Sequence, residues 1–190
     1  MTKIIAIDID DTLNNYSDTL QKTEFPYDAS YRLTPEVFRK YLAHIKSGMK
    51  DSGELLCTEY SYFKIKIQIQ CHQSAQARPG AAEFLQWLKA DGWRIVICTY
   101  RDLRRSDYTQ KWLRENRMPF DYIFSVHNKI IFCRMWQIQY LIDDEPLNII
   151  HGATYGVNVF YPAMEKRRDL LNGGARGFYA FEEVKQWIQE

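Results

Sequence analysis

Residues 4–12 read Ile-Ile-Ala-Ile-Asp-Ile-Asp-Asp-Thr, an apolar strand that ends in the carboxylates of Asp8, Asp10 and Asp11 and the hydroxyl of Thr12. Folding alone gives no reason to crowd like charges at the end of a buried strand, because each raises the cost of ionising its neighbours. A cation is therefore expected there. Mg²⁺ fits: it takes hard oxygen ligands, keeps several waters, and usually binds one or two carboxylates together with a substrate phosphate. The plainer alternative is an acidic loop in which Asp10, Asp11 or Thr12 caps a helix.

Working outward, the next clear buried strand is Trp93-Arg-Ile-Val-Ile-Cys-Thr99. In a β-α-β chain the second parallel strand should arrive within roughly thirty residues. Residues 13–78 thus read as an inserted unit, and residues 1–12 with 79–190 as the core. Inside the insertion, Thr34-Pro35-Glu36 supplies an N-cap, a first-turn proline and a first-turn acid. Val37, Phe38, Tyr41, Leu42 and Ile45 follow at helical spacing, with Gly48 as the stop. Phe63-Lys-Ile-Lys-Ile-Gln-Ile-Gln70 alternates apolar and polar residues, which predicts a half-buried strand, although Lys and Gln also favour helix.

From Pro79 the pattern is regular. A helix runs through Ala82, Phe84, Leu85, Trp87 and Leu88 to Asp91-Gly92, and another occupies residues 106–116. Apolar segments follow at 122–125, 139–143 and 156–161, and residues 181–188 form a closing helix. Strands alternating with helices predict an α/β fold, a Rossmann-like parallel sheet with helices on both faces.

The chain has 190 residues, 46% hydrophobic and 26% charged, with a net charge of +1, enough for one substantial core and an appendage. The balanced charge does not call for nucleic acid or an anionic membrane as partner. No apolar stretch approaches a membrane span and the chain opens directly into a strand, so a cytoplasmic protein is expected. Cys57, Cys71, Cys98 and Cys133 lack zinc-site spacing and are expected as reduced thiols, with Cys98 a small buried hydrophobe.

In a parallel α/β sheet, functional residues gather beyond the carboxyl ends of the strands. Read in order, those ends supply Asp8, Asp10 and Thr12; Thr99 and Arg101; Lys129; and Asp143 with Asp144. Singly, each has an ordinary role: Thr99 as a cap, Lys129 as a solvated side chain, Asp143-Asp144-Glu145-Pro146 as a turn that opens a helix. Together they suit phosphoryl transfer from a monoester, where positioning and electrostatics do most of the work and a carboxylate nucleophile divides hydrolysis into two easier steps.

The chain resembles the haloacid dehalogenase (HAD) superfamily of phosphohydrolases. Four motifs carry the likeness, in order and over nearly the whole length: Asp8-Ile-Asp-Asp-Thr12, Ile95-Val-Ile-Cys-Thr99, Lys129, and Leu141-Ile-Asp-Asp144. The gap between the first two is where this superfamily places a cap domain. The resemblance implies that Asp8 is the nucleophile and Asp10 the general acid and then base. It implies that Mg²⁺ is held by Asp8, the backbone carbonyl of Asp10, Asp143 and Asp144, and that Thr99 and Lys129 bind the phosphoryl group. The second aspartate separates phosphate chemistry from carbon–halogen cleavage. Asp11 stands where the superfamily commonly has glycine.

Within the superfamily the chain is most similar to the cytosolic 5′-(deoxy)ribonucleotidases, with Glu145 in place of a frequent arginine before Pro146. That likeness implies a 5′-nucleotidase acting through an aspartyl-phosphate on nucleoside monophosphates. Arg101, Arg104 and Arg105 stand just before a helix, where they oppose its dipole; contact with substrate phosphate would account for them, Arg101 first, and so would a solvated turn with Asp102 and Asp107 as local partners. Phe25, Tyr27, Tyr31, Tyr60 and Tyr62 could stack on a base or pack a core.

Two alternatives share the chemistry: a phosphatase of sugar phosphates or other small molecules, and one of polynucleotide ends, which near-zero net charge does not favour. A non-enzymatic alternative is a phospho-accepting receiver-type signalling domain. It needs an accepting Asp on a strand of its own, and Asp51 follows no strand.

Overall fold

The computed structural model describes residues 3–49, 57–102, 106–163 and 174–190. The chain divides into two compact units, Met1–Asn15 with Gln76–Glu190 and Tyr16–Ala75.

The first unit is built on β1 (Ile4–Ile7), β2 (Arg94–Thr99), β3 (Tyr122–Ser125), β4 (Tyr140–Ile142), β5 (Asn158–Pro162) and β6 (Arg176–Phe178). Among the described residues these form one sheet in the order β3-β2-β1-β4-β5-β6, with every pairing parallel. β1 is central, with Ile5 opposite Ile95 on one side and Tyr140 on the other. Successive side chains of a strand point to opposite faces, so a continuous apolar run fills two cores at once. Ile5, Ile7, Ile95 and Ile97 join one core. Ala6, Val96, Cys98 and Leu141 join the other.

The first core is covered by α4 (Ala81–Ala90), α5 (Ser106–Glu115) and α8 (Phe181–Gln189), and the second by α6 (Lys129–Met135) and α7 (Pro146–Gly152). α7 approaches β5 closely because Gly152 has no side chain: a Cβ there would lie 2.3 Å from Val159 Cγ2. The α/β class expected from the sequence is the one observed. The strand order also separates the chain from the 2-1-3-4-5 arrangement of receiver-type folds, and Asp51 lies outside the described residues.

The second unit holds α1 (Tyr16–Lys22), α2 (Pro35–Ser47) and α3 (Thr58–Ser74). α2 follows the sequence signals: the Thr34 hydroxyl accepts the Val37 N–H at 3.3 Å, and Gly48 closes the helix at φ 68°. The strand expected at residues 63–70 is corrected. That stretch lies inside α3, where Tyr60, Phe63, Ile67 and Cys71 are the buried positions, spaced at three and four residues. Ile65 and Ile69 complete the apparent alternation but are only half-buried. Phe25, Tyr60 and Phe63 lie in this unit's core with Tyr31 against it, whereas Tyr27 and Tyr62 are about half exposed at 45% and 51%.

Candidate active site

Hydrogen bonds of the sheet continue past the ends of its strands and aim two acids. The Asp8 N–H donates to the Ile142 carbonyl at 2.9 Å and the Asp143 N–H to the Phe160 carbonyl at 3.0 Å. Both side chains are buried, Asp143 completely. Carboxylate oxygens of Asp8, Asp143 and Asp144 lie within 4.8 Å of one another. Lys129, the first residue of α6, places its ammonium 2.8 Å from Asp8 Oδ1 and 2.8 Å from Asp143 Oδ2.

Buried charges persist only when paired and hydrogen-bonded. Asp143 also accepts the Glu145 N–H at 2.8 Å and the Asn148 Nδ2 at 3.2 Å, and Asp144 accepts the Thr12 hydroxyl at 3.3 Å. Burial pushes the Asp8 carboxyl well above the usual range; Lys129 opposes this, and Asp143, Asp144 and Asp10 add to it. Burial works to lower Lys129, but Asp8 and Asp143 outweigh it and the ammonium is held above its ordinary value. Three carboxylates share this small space with the Lys129 ammonium. Such a cluster of hard oxygen ligands fits one divalent ion of the Mg²⁺ type.

The turn after β1 is tight. The amides of Thr12, Leu13 and Asn14 all donate to the Ile9 carbonyl, at 3.2, 2.8 and 3.1 Å. Asp11 occupies the left-handed region at φ 57°. Glycine enters that region freely and Asp or Asn more readily than other residues, which gives the departure from glycine a physical basis. The Asp11 N–H donates to Asn14 Oδ1 at 3.1 Å, and its carbonyl accepts Arg78 Nη2 at 3.0 Å.

Asp10 and Arg101 form a bidentate pair: Nε donates to Oδ2 at 2.8 Å and Nη2 to Oδ1 at 2.5 Å. Asn14 Nδ2 reaches Oδ1 as well, at 3.1 Å, and Arg101 Nη1 donates to the Thr109 hydroxyl at 3.3 Å. Arg101, expected from sequence to meet substrate phosphate, is thus buried against a side chain of the protein. Arg104 and Arg105, singled out with it, lie outside the described residues. Thr99 is buried at the end of β2, its hydroxyl accepting the Arg101 N–H at 3.2 Å. The ring of Tyr100 lies 5.1 Å from the Lys129 ammonium, and its hydroxyl donates to the His127 carbonyl at 2.7 Å.

Sequence reasoning missed Asn14 and Asn148. Both are polar and buried, and they brace Asp10 and Asp143 at i+4 and i+5. That short spacing was the available signal. Cys98 and Cys133 are buried free thiols, and burial first, each with an acidic neighbour adding, pushes both up, Cys133 to about 12. Both pack as small side chains in the second core.

No protein-family model matches the chain, and no curated protein matches it in sequence. Solved structures do match its fold. A haloacid dehalogenase-like hydrolase from Streptococcus pneumoniae superposes with a TM-score of 0.64 at 15% identity, covering 98% of each chain. A predicted phosphoglycolate phosphatase from Haemophilus somnus gives 0.61 at 16%, again covering 98% of each. A variant of CbbY from Rhodobacter sphaeroides in complex with xylulose-(1,5)bisphosphate gives 0.60 at 16%, covering 97% of this chain and 96% of that one. The chain has the HAD-like fold.

Proposed function

We propose that this protein is a divalent-metal-dependent phosphomonoester hydrolase. The observation that carries the reading is the buried cluster of Asp8, Asp143 and Asp144 with Lys129 between two of them, at the point where the strand order reverses beside β1. Such a switch point is where open α/β sheets bind ligands.

Asp8 is the proposed nucleophile, since it stands at the end of the central strand and is aimed by backbone bonds. Its carboxylate oxygen forms a bond to phosphorus while the ester oxygen leaves with a proton from Asp10. Water then attacks the aspartyl-phosphate and gives its proton to Asp10, releasing inorganic phosphate and restoring Asp8. Lys129 and the Thr99 hydroxyl would steady the phosphoryl oxygens, and Arg101 with Asn14 would hold Asp10 in its starting position. Asp8, Asp143, Asp144 and the Asp10 carbonyl would hold Mg²⁺, which when bound supplies charge neutralisation for the transferring group.

For the substrate, the likenesses favour a small phosphorylated compound of sugar or carboxylic-acid type over the nucleoside monophosphate first expected from sequence. Two of the similar structures are described in terms of phosphoglycolate and xylulose-(1,5)bisphosphate. Phosphate release measured across sugar phosphates, phosphoglycolate, nucleotides and 3′-phosphorylated oligonucleotides, with Mg²⁺ and with chelator, tests this. Highest kcat/KM on a sugar or acid phosphate, lost in chelator, is expected. Full activity in chelator would overturn the role of the metal.

A further inference from the structure

Beside Lys129, on the side of α6 and α7, lies a cleft of about 320 Å³ that the proposed chemistry does not use. Two aromatic pairs wall it. Tyr100 and His127, from the loops after β2 and β3, have ring centroids 5.7 Å apart. His151 and Tyr155, from α7 and the turn that follows it, have theirs 6.4 Å apart. Ile131 and Leu147 add apolar surface, and both are more than half exposed at 53% and 62%, as is Tyr155 at 53%.

Two contacts join this cleft to the acidic cluster. Tyr100 lies over the Lys129 ammonium, and Asn148, which also lines the cleft, donates to Asp143. Among the described residues, its lining is made of aromatic, aliphatic, imidazole and carboxamide side chains and holds no carboxylate, ammonium or guanidinium. Among these described residues an ammonium group would meet no anion, and a second phosphate no guanidinium or ammonium. Rings of tyrosine and imidazole over aliphatic side chains instead suit a flat or chair-shaped uncharged ring, with hydroxyls or ring nitrogens hydrogen-bonding at the edges. The volume is at the low end of ligand pockets and admits one such ring.

We infer that this cleft is the subsite for an uncharged ring carried by the phosphate ester, a sugar or a nucleobase, and that Tyr155, His151 and Leu147 select substrates by it. The inference rests on the phosphatase reading for the position of the phosphate but not for the cleft itself.

The test compares Tyr155→Ala and Leu147→Asp, two substitutions at exposed positions, with the unaltered protein on glucose 6-phosphate, adenosine 5′-monophosphate and glycerol 3-phosphate. The expected result is a rise in KM of about tenfold for one or both ring-bearing esters, kcat nearly unchanged, and glycerol 3-phosphate unaffected in both parameters. The ester that loses more identifies the ring. Equal losses on all three esters, or none on any, would overturn the inference and leave the phosphatase reading standing. Calorimetric binding of the same esters to Asp8→Asn, with and without Tyr155→Ala, separates the two ideas. If no ester is hydrolysed by the unaltered protein but ring esters bind and lose affinity about tenfold on Tyr155→Ala, the cleft stands and the phosphatase reading falls. Absence of both hydrolysis and ring-dependent binding overturns both.

Discussion

Lys129 lies 2.8 Å from Asp8 and from Asp143 with its side chain 1% exposed, whereas Lys89 reaches Asp121 at 2.7 Å with the two side chains 36% and 27% exposed. The first group sits at the carboxyl ends of the strands and the second at the amino ends, where Asp121 also accepts the Ile95 N–H at 2.7 Å. Residue types and distances are nearly the same. Burial separates them: water can replace either partner of the exposed pair, while the buried ions depend on one another. One end of the sheet is a staple and the other has the electrostatics of a binding site.

The largest effect that could break this comparison is catalytic. Asp8→Asn keeps the shape of the side chain and removes the proposed nucleophile, so turnover should fall by at least about 10³-fold while circular dichroism and the melting transition persist. Near-normal turnover by the purified variant would place the site elsewhere. Next comes Lys129→Met, which leaves Asp8, Asp143 and Asp144 facing one another without the ammonium. Urea denaturation in chelator should show a loss of about 3–5 kcal/mol. A loss below about 1 kcal/mol would put Lys129 in the same class as Lys89.

A third measurement sharpens the contrast through the ion. Mg²⁺ should raise the melting temperature saturably, with about 2.7 kcal/mol of added stability at one hundred times its dissociation constant. The shift should vanish in Asp143→Asn with Asp144→Asn and survive in Asp121→Asn. The smallest effect is Asp121→Asn itself, about 0.2–1 kcal/mol after allowing for solvent screening, and less in high salt.

The two ends also differ in the direction of their pH dependence. Lys129 is raised, so its contribution is complete below the unfolded value of about 10.4 and is lost as pH climbs through the folded one. For Asp121, burial pushes upward but Lys89 and the Ile95 amide prevail, and the carboxyl is lowered. Its contribution is present above about 3.9 and is lost as pH falls through the folded value. Acid titration of stability in Asp121→Asn should lack that step.

What could be read from sequence follows from how local each signal is. The strand-end acids, the Thr99 strand and the α2 caps announce themselves within a few residues, and β1, β2 and α2 stand where those signals put them. α3 was misread because Phe63, Ile65, Ile67 and Ile69 imitate a strand over eight residues, and only Tyr60 and Cys71, beyond that window, reveal the helical spacing. β6 is three residues long and contains a glycine, too short for any period to register. The partner of Arg101 was illegible for another reason: Asp10 lies 91 positions away, and only the parallel pairing of β1 with β2 brings them together.

The same pairing sets an order of events during synthesis. β1 is translated before the other described strands but must wait for Arg94–Thr99 on one side and Tyr140–Ile142 on the other. Domains generally fold as units while the chain grows at about 5–20 residues per second, so the central strand spends several seconds without either neighbour. Tyr16–Ala75, with a hydrophobic core of its own, is complete before β2 has been made. The inserted unit can therefore fold while Ile4–Ile7, paired on both sides in the finished protein, still needs protection from wrong partners. Asp8 meets Asp143 only after four strands have been translated, so the acidic cluster does not exist in any shorter nascent chain.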